Sequence, residues 1–227
     1  MKPNGYILSE STNHVVIATG FASKSENAKT GNMIQIHILY KHTHPTQAVR
    51  NGEDEAVCFS CPLRPSIAGP LGKPVCYVKT IFAPAAVWKA YKRNRYSILT
   101  DYSLFAGRKV RFGAYGEPVL IPFKIVKAIA GYAAGWTGYT HTWKNPVYQS
   151  YKNYFMASCD ENDYVTAETM GWRAFIVKNP TSVLEQGVAA VCPASAEFGK
   201  KLNCVDCLAC SGVMGHGKKH IVINVHK

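Results

Sequence analysis

Short apolar segments with the alternating pattern of β-strands recur through the chain, and most of those after residue 84 are followed by a segment with helical periodicity. Strands that alternate with helices at spacings of roughly 20 residues are typical of parallel sheets built from β-α units. The alternation therefore predicts an α/β fold. The expected strands are 15–21, 33–40, 109–116, 136–141, 154–159, 172–177, 188–192 and 221–225, and the expected helices are 83–102, 122–134, 146–152 and 161–171.

Polar residues follow the carboxyl end of nearly every expected strand, in the sequences GAYGE, GYTH, ASCD and CPAS. In a (β/α) barrel, the active site is built from the loops at the carboxyl ends of the strands. A doubly wound sheet is the other architecture that so many parallel strands allow. We therefore predict a TIM-like (β/α) barrel, possibly incomplete, with cysteine-rich metal-binding loops.

The composition suits one folded domain. The chain has 227 residues, of which 47% are hydrophobic and 18% charged, so it can bury a sizeable core. We expect a single domain over 1–227. Within it, the turn-rich stretch 41–80 is expected to be a cysteine- and proline-rich insertion, and 192–215 a metal-binding segment.

Charge points to a polyanionic partner. Lys and Arg number 26 against 14 Asp and Glu, which gives a net charge of +12 and favours nucleic acid, with an unliganded basic surface as the alternative. The sequence begins without an export signal and contains no apolar run of about 18 residues, so no membrane partner is expected. We therefore expect a cytoplasmic protein, whose eight cysteines stay reduced and serve as metal ligands or reactive groups.

Four cysteines near the end of the chain form the most specific motif. Their spacing, C-x11-C-x2-C-x2-C, lets neighbouring thiolates turn onto one ion. Four thiolates suit tetrahedral Zn²⁺, and they also suit a [4Fe–4S] cluster. This C-terminal cysteine set comprises Cys192, Cys204, Cys207 and Cys210.

A second group, the N-terminal cysteine set, comprises Cys58, Cys61 and Cys76. Three thiols in a proline-rich loop would form a metal site, with packing beside the prolines as the alternative. The fourth ligand would be Cys159 or a histidine, or the position would be open. Three ligands with an open position are typical of catalytic sites, whereas four are typical of structural ones. The candidate histidines are His37, His42 and His44.

Two carboxylates are the candidate catalytic residues. Glu117 follows the strand 109–116 between glycine and proline, where a ligand can approach the backbone closely. Asp160 follows the strand 154–159 in the same way, although it also suits the N-cap of the next helix. Either carboxylate would stand at the carboxyl end of a barrel strand.

Candidate substrate-binding residues cluster on the same expected rim. Alternation places Tyr139 and His141 on one face of their strand, where a ring and an imidazole could hold a base. Tyr115 belongs to the GAYGE strand end, and we expect it to contact the substrate too. Lys29 lies in the sequence NAKTG, in the loop after the first expected strand, and could contact a phosphate; it does not form a P-loop, because the preceding glycine spacing is absent.

The helix sequence WKAYKRNRY interleaves basic and aromatic residues. This pattern suits phosphate contacts combined with stacking, and a solvated basic face is the alternative. The candidate nucleic-acid-binding residues are Lys89, Lys92, Arg93 and Arg95.

The motif order NAKTG, CxxCP…CY, VRFGAYGEP, GWTGYTH, FMASCD, GWR and CPAS…CxxCxxC, spread over residues 20–225, resembles a family frequent in bacteriophage genomes. It is similar to the short phage 7-deazaguanine DNA transglycosylases, which are remote relatives of tRNA-guanine transglycosylase. The resemblance implies a (β/α) barrel and a C-terminal zinc site that includes Cys204, Cys207 and Cys210. It also implies a carboxylate nucleophile, Glu117 or Asp160, that displaces guanine from DNA so that a base such as preQ0 takes its place in the infected host cell.

This chain departs from the tRNA enzymes at two points. Their zinc motif is C-x-C-x2-C…His, whereas here Cys192 would be the fourth ligand, and their Gly-Gly-containing aspartate motif is not found.

A second likeness leads to a different enzyme class. VRFGAYGEP is similar to the GGEP segment with which radical enzymes hold the amino group of S-adenosylmethionine, although their C-x3-C-x2-C cluster motif differs from the C-x2-C-x14-C found here. The alternative functions are therefore a radical S-adenosylmethionine-like iron–sulfur enzyme and a non-catalytic, zinc-stapled nucleic-acid-binding protein.

Overall fold

Two sheets form the centre of the computed structural model, which describes residues 3–23, 27, 29–64, 67, 76, 78–199 and 202–225. The strands are β1 Gly5–Glu10, β2 His14–Thr19, β3 Ile34–Tyr40, β4 Ser97–Ile98, β5 Lys109–Tyr115, β6 Gly135–Thr137, β7 Tyr139–Thr140, β8 Met156–Cys159, β9 Ala174–Lys178, β10 Ala189–Val191 and β11 His220–Asn224. The strand order is β4-β1-β2-β3-β5-β6 in one sheet and β10-β11-β9-β8-β7 in the other.

From β3 onward, every described pair of neighbouring strands is parallel. Only Gly138 separates β6 from β7, so one strand continues into the other and links the two sheets. We call the parallel strands β3, β5 and β6 of one sheet and β7 to β11 of the other the parallel wall. A Cβ on Gly138 would lie 2.9 Å from the Phe155 ring and 3.1 Å from the Cβ of Phe112. Glycine is therefore required where the wall passes from one sheet to the other.

The predicted α/β class is confirmed, but the described strands do not close into a barrel. β1 pairs antiparallel with β2, and β2 pairs antiparallel with β3. This hairpin covers the edge of β3 to which the last strand of a closed barrel would pair. The sequence predicted β2 as a strand but missed both β1 and the antiparallel pairing.

Three α-helices, α3, α4 and α5, lie at predicted positions but are shorter than expected, whereas α1, α2 and α6 were not predicted. Helix α3 ends at Lys92 rather than continuing to residue 102, because Asn94 adopts a left-handed conformation with φ of 54° and the chain then enters β4. The expected helix 146–152 is a 3₁₀ helix, Pro146–Asn153. The α-helices are α1 Pro45–Asn51, α2 Glu55–Cys58, α3 Ala83–Lys92, α4 Phe123–Tyr132, α5 Tyr164–Thr169 and α6 Cys204–Cys207.

The two cysteine sets lie at opposite ends of the parallel wall. Lys109, the first residue of β5, donates a hydrogen bond to the carbonyl of Val205 in α6, and a Cβ on Gly135, the first residue of β6, would lie 2.6 Å from Leu208. The C-terminal set therefore sits at the amino ends of these strands. At the carboxyl ends, the amide of Glu117 donates to the carbonyl of Val57 in α2, beside the N-terminal set.

One main hydrophobic cluster draws side chains from both sheets, among them Val16, Phe112 and Ile176. None of the helices in the described part of the chain is long and apolar enough to span a membrane.

Candidate functional site

A cavity of about 620 Å³ is lined by residues from strands of both sheets. This convergence is what a site built from several strands requires, and the volume falls in the range of small-ligand sites. The contributing strand residues are Gln35 and His37 of β3, Arg111, Gly113, Ala114 and Tyr115 of β5, Tyr139 of β7, Ser158 of β8, Phe175 and Val177 of β9, and Ile223 and Asn224 of β11.

All three residues of the N-terminal cysteine set line this cavity. Cys58 ends α2, and the amide of Cys61 donates to the carbonyl of Cys58 in the turn that follows. Burial raises the pKa of the Cys58 thiol well above its usual value, and the neighbouring Cys61 and Cys76 add to the effect. The thiols are therefore close enough to influence one another electrostatically.

A buried ion pair fixes the loop that carries these cysteines. The guanidinium of Arg64 contacts the carboxylate of Asp54 at 3.0 and 3.3 Å, and the two side chains are 6% and 1% exposed. Arg64 also donates to the carbonyls of Phe59 and Gly52 at 2.7 and 3.0 Å. One side chain therefore ties together the stretch on which Cys58 and Cys61 lie.

Glu117 lines the cavity, and both of its carboxylate oxygens accept hydrogen bonds. Oε1 lies 2.9 Å from the backbone nitrogen and 2.9 Å from Nδ1 of His141. Oε2 accepts from the hydroxyls of Thr140 and Thr142 at 2.5 and 3.2 Å. The carboxylate is 3% exposed and held from four directions, which is a geometry suited to orienting a neighbour.

His141 lines the cavity beside the N-terminal cysteine set. Burial by itself would lower the pKa of its imidazole, but the neighbouring Cys61 and Glu117 side chains outweigh burial and raise the pKa to about 10. Sequence reasoning placed His141 at the substrate and did not connect it with the cysteines.

Asp160, the second candidate catalytic carboxylate, is exposed and does not line the cavity. Its Oδ1 accepts hydrogen bonds from the amides of Asn162 and Asp163 at 2.8 and 3.1 Å. Asp160 therefore holds the turn before α5, whereas the N-cap of this helix, which the sequence offered to Asp160, is Asp163.

Tyr139 lines the cavity as the alternation predicted, but both faces of its ring are covered. The Phe175 ring stacks on it at 4.6 Å between centroids, and the Arg111 guanidinium lies 4.2 Å from its centroid. A base therefore cannot stack on the face of Tyr139, which forms part of the cavity floor. Tyr115 and Lys29 also line the cavity, and the buried hydroxyl of Tyr115 has no hydrogen-bond partner among the described atoms.

The four residues of the C-terminal cysteine set line one small cavity of about 10 Å³. The amide of Cys204 donates to the carbonyl of Lys29, and that of Val205 to the carbonyl of Thr30. The NAKTG loop is therefore attached to this cysteine set, a connection that the sequence did not predict. Among the side chains that the structure describes, no group of three or more His, Cys, Asp or Glu is arranged as a metal-ion site, so both sets stay predictions as metal ligands.

The predicted basic helix lies outside the cavity. Lys89, Lys92, Arg93 and Arg95 are exposed on and after the last turn of α3, with Lys92 5.5 Å from the Trp88 ring. The start of the same helix reaches the cavity, where Ala83 and Pro84 line it.

The buried imidazole of His37 should make the free energy of unfolding depend on pH. Its side chain is 3% exposed, and burial lowers its pKa to about 4. Because the unfolded chain binds a proton near pH 6.5 and the folded chain does not, the free energy of unfolding should fall by about 2 kcal/mol between pH 7 and pH 5. Urea unfolding at both pH values measures this, and His37→Gln should remove that part of the pH dependence. An unchanged slope in the variant would contradict the assignment.

Comparisons of the chain with protein-family models, with curated proteins and with solved structures find no match.

Proposed function

We propose that the chain is an enzyme that modifies a base of nucleic acid inside the main cavity, and that the parallel wall is an incomplete (β/α) barrel. The specific reaction we put forward is exchange of guanine in DNA for a 7-deazaguanine such as preQ0. The observation that carries the proposal is that the cavity takes in the carboxyl ends of β5 and β9 and lies beside an exposed aromatic residue in a strongly basic stretch.

The residues at the mouth of the cavity are suited to a nucleic-acid substrate. Residues 56–100 contain no Asp or Glu but seven Lys and Arg residues. Within this stretch Phe82, which lines the cavity, is 61% exposed, and Lys79 lies 6.0 Å from the centroid of its ring. Cations beside an exposed ring suit a strand whose phosphates need neutralising and whose bases can stack.

The interior of the cavity supports recognition of a base rather than of a long side chain. A base must leave the stack to be modified, and the pocket that receives it combines flat apolar surface with a few hydrogen-bonding groups. Here Phe175 and Val177 supply apolar surface, and Gln35, Arg111 and Ser158 supply polar groups.

The variant Phe82→Ala tests whether the mouth of the cavity binds nucleic acid. Loss of one stacking ring should weaken binding of a fluorescein-labelled single-stranded oligonucleotide about tenfold, measured by fluorescence anisotropy. Val183→Ala is the matched control, because Val183 is 93% exposed and does not line the cavity. Equal affinities of the two variants for the oligonucleotide would show that Phe82 does not contact the nucleic acid.

The exchange reaction is tested by incubating zinc-loaded protein with labelled preQ0 and duplex DNA, single-stranded DNA or RNA, followed by nucleoside analysis. Label in guanine positions of the DNA is the expected result. Oligonucleotide binding without incorporation into any of the three would contradict base exchange.

A radical S-adenosylmethionine-like enzyme is the second candidate, favoured by one feature of the topology. The N-terminal cysteine set follows β3, the first strand of the parallel wall, and GAYGEP ends β5, the next strand along it. If an iron–sulfur cluster is bound, anaerobically purified protein should be brown and absorb broadly near ~400 nm. Colourless protein that contains zinc but neither iron nor sulfide would contradict this candidate.

A further inference from the structure

The imidazole of His141 has a buried nitrogen without a hydrogen-bond partner. Nδ1 lies 2.9 Å from Glu117, whereas Nε2 is buried and has no partner among the described atoms. A buried polar atom left unpaired costs free energy, and its presence at a cavity calls for a ligand.

Glu117 fixes the direction in which this nitrogen points. Its Oε1 contacts both the backbone nitrogen and Nδ1 of His141, while Thr140 and Thr142 hold Oε2. A carboxylate can only accept, so it keeps the proton on Nδ1, and the proton on Nε2 is the one that a metal ion would displace. Metal-bound histidines are oriented by carboxylates in the same way.

Nε2 faces the N-terminal cysteine set. His141 lines the same cavity as the three cysteines, and Glu117, which holds its Nδ1, donates its own amide to the carbonyl of Val57, the residue before Cys58. Three thiolates and one imidazole form a donor set typical of tetrahedral Zn²⁺.

The fourth-ligand candidates that the sequence offered are less suited. Cys159, His42 and His44 do not line the cavity. Nε2 of His42 is 3.1 Å from the carbonyl oxygen of Thr12, and Nδ1 of His44 accepts from the Thr46 amide at the start of α1. His37 lines the cavity and its buried Nδ1 is also unpaired, but among the described residues no carboxylate hydrogen-bonds to its ring to orient it.

We propose that Cys58, Cys61, Cys76 and Nε2 of His141 form a binding site for one Zn²⁺ ion, and that Glu117 is the positioning residue of that site. Among the described side chains, these four donors do not yet stand in the arrangement of an ion site. Zinc binding would draw them together as the thiols lose their protons, which is the usual coupling between ligand deprotonation and metal binding. The proposal does not depend on the nucleobase reaction, because zinc binding is measured without a substrate.

The direct test measures, for each cysteine separately, whether Zn²⁺ protects its thiol from alkylation. The full chain is stripped of metal, titrated with Zn²⁺, pulsed with N-ethylmaleimide and analysed by peptide mass mapping, which follows the two cysteine sets separately. In the wild type, Zn²⁺ should protect Cys58, Cys61 and Cys76 together. In His141→Ala this protection should be lost, or should need at least tenfold more Zn²⁺, while protection of the C-terminal set is unchanged.

Three further variants show whether His141 is a metal ligand or only supports the fold. His141→Cys should restore protection, since a fourth thiolate replaces the imidazole, and this result guards against a folding defect in the alanine variant. Glu117→Gln should raise the Zn²⁺ concentration needed by about ten- to a hundredfold without abolishing protection. His37→Gln, which changes another buried histidine of the same cavity, should behave as the wild type. Unaltered protection of the three cysteines in His141→Ala, or no protection by Zn²⁺ in the wild type, would overturn the proposal.

Discussion

Arg64→Ala is expected to lower the free energy of unfolding by about 3 to 5 kcal/mol, because it leaves the Asp54 carboxylate buried without its charged partner. It also removes the hydrogen bonds from Arg64 to the carbonyls of Phe59 and Gly52. Urea unfolding of the two proteins measures the difference. Cys58 and Cys61 should also react faster with N-ethylmaleimide, since the loop that carries them loses its main polar anchor.

Two control variants show whether the lost partner is the cause. Lys144→Ala breaks an ion pair of 2.7 Å with Asp163 whose side chains are 57% and 36% exposed, so it should change the stability by no more than about 1 kcal/mol. Replacing both buried residues, as Asp54→Leu with Arg64→Met, should recover much of the loss. A loss of less than about 1 kcal/mol in Arg64→Ala would contradict the role assigned to this pair.

Gly116→Ala is expected to cost about 3 kcal/mol or more, because two penalties combine at this position. Gly116 has φ of 81°, and a Cβ there would lie 2.7 Å from the carbonyl oxygen of Ile38 and 3.2 Å from that of Val57. The backbone conformation accounts for about 1 to 2 kcal/mol, and forcing apart well-packed backbone adds to it. The variant should therefore also displace α2, and with it Cys58.

Gly187→Ala separates the two penalties. Gly187 has φ of 89°, but a Cβ there would meet no atom within 4 Å. This variant should lose only the conformational part, about 1 kcal/mol. Equal losses of stability in the two alanine variants, measured by urea unfolding, would show that close packing of α2 against the GAYGEP turn is not what requires glycine.

The sequence was sufficient to predict the parallel part of the fold. The strands β3, β5, β6, β8, β9 and β11 are apolar runs that are largely buried, and the expected positions of β5, β8 and β9 agree with the structure. β1 could not be found in this way, since GYILSE is only partly buried. The antiparallel pairing of β2 with β3 is a tertiary contact, and it occupies the edge of β3 at which a barrel would close.

The composition of the site was predictable, but its connections were not. Cys58, Cys61, Glu117, Tyr139 and His141 were all candidates, and the structure brings them to one cavity. The contact between Glu117 and His141 joins residues 24 positions apart, at the ends of strand paths that run side by side. The sequence placed both residues after the ends of strands, and this was the available signal for the pair. Only the register of the sheet determines that the two side chains contact each other.

The central claim, that a base of nucleic acid enters the main cavity, is tested most directly by photocrosslinking. A random-sequence pool of oligonucleotides, each with one 6-thioguanine, is irradiated with the protein, and the crosslinked peptides are identified by mass spectrometry. The account predicts crosslinks at the cavity lining, in residues 78–84, 111–117 or 139–141. Crosslinks confined to α4 and to residues 179–187, none of which line the cavity, would contradict it.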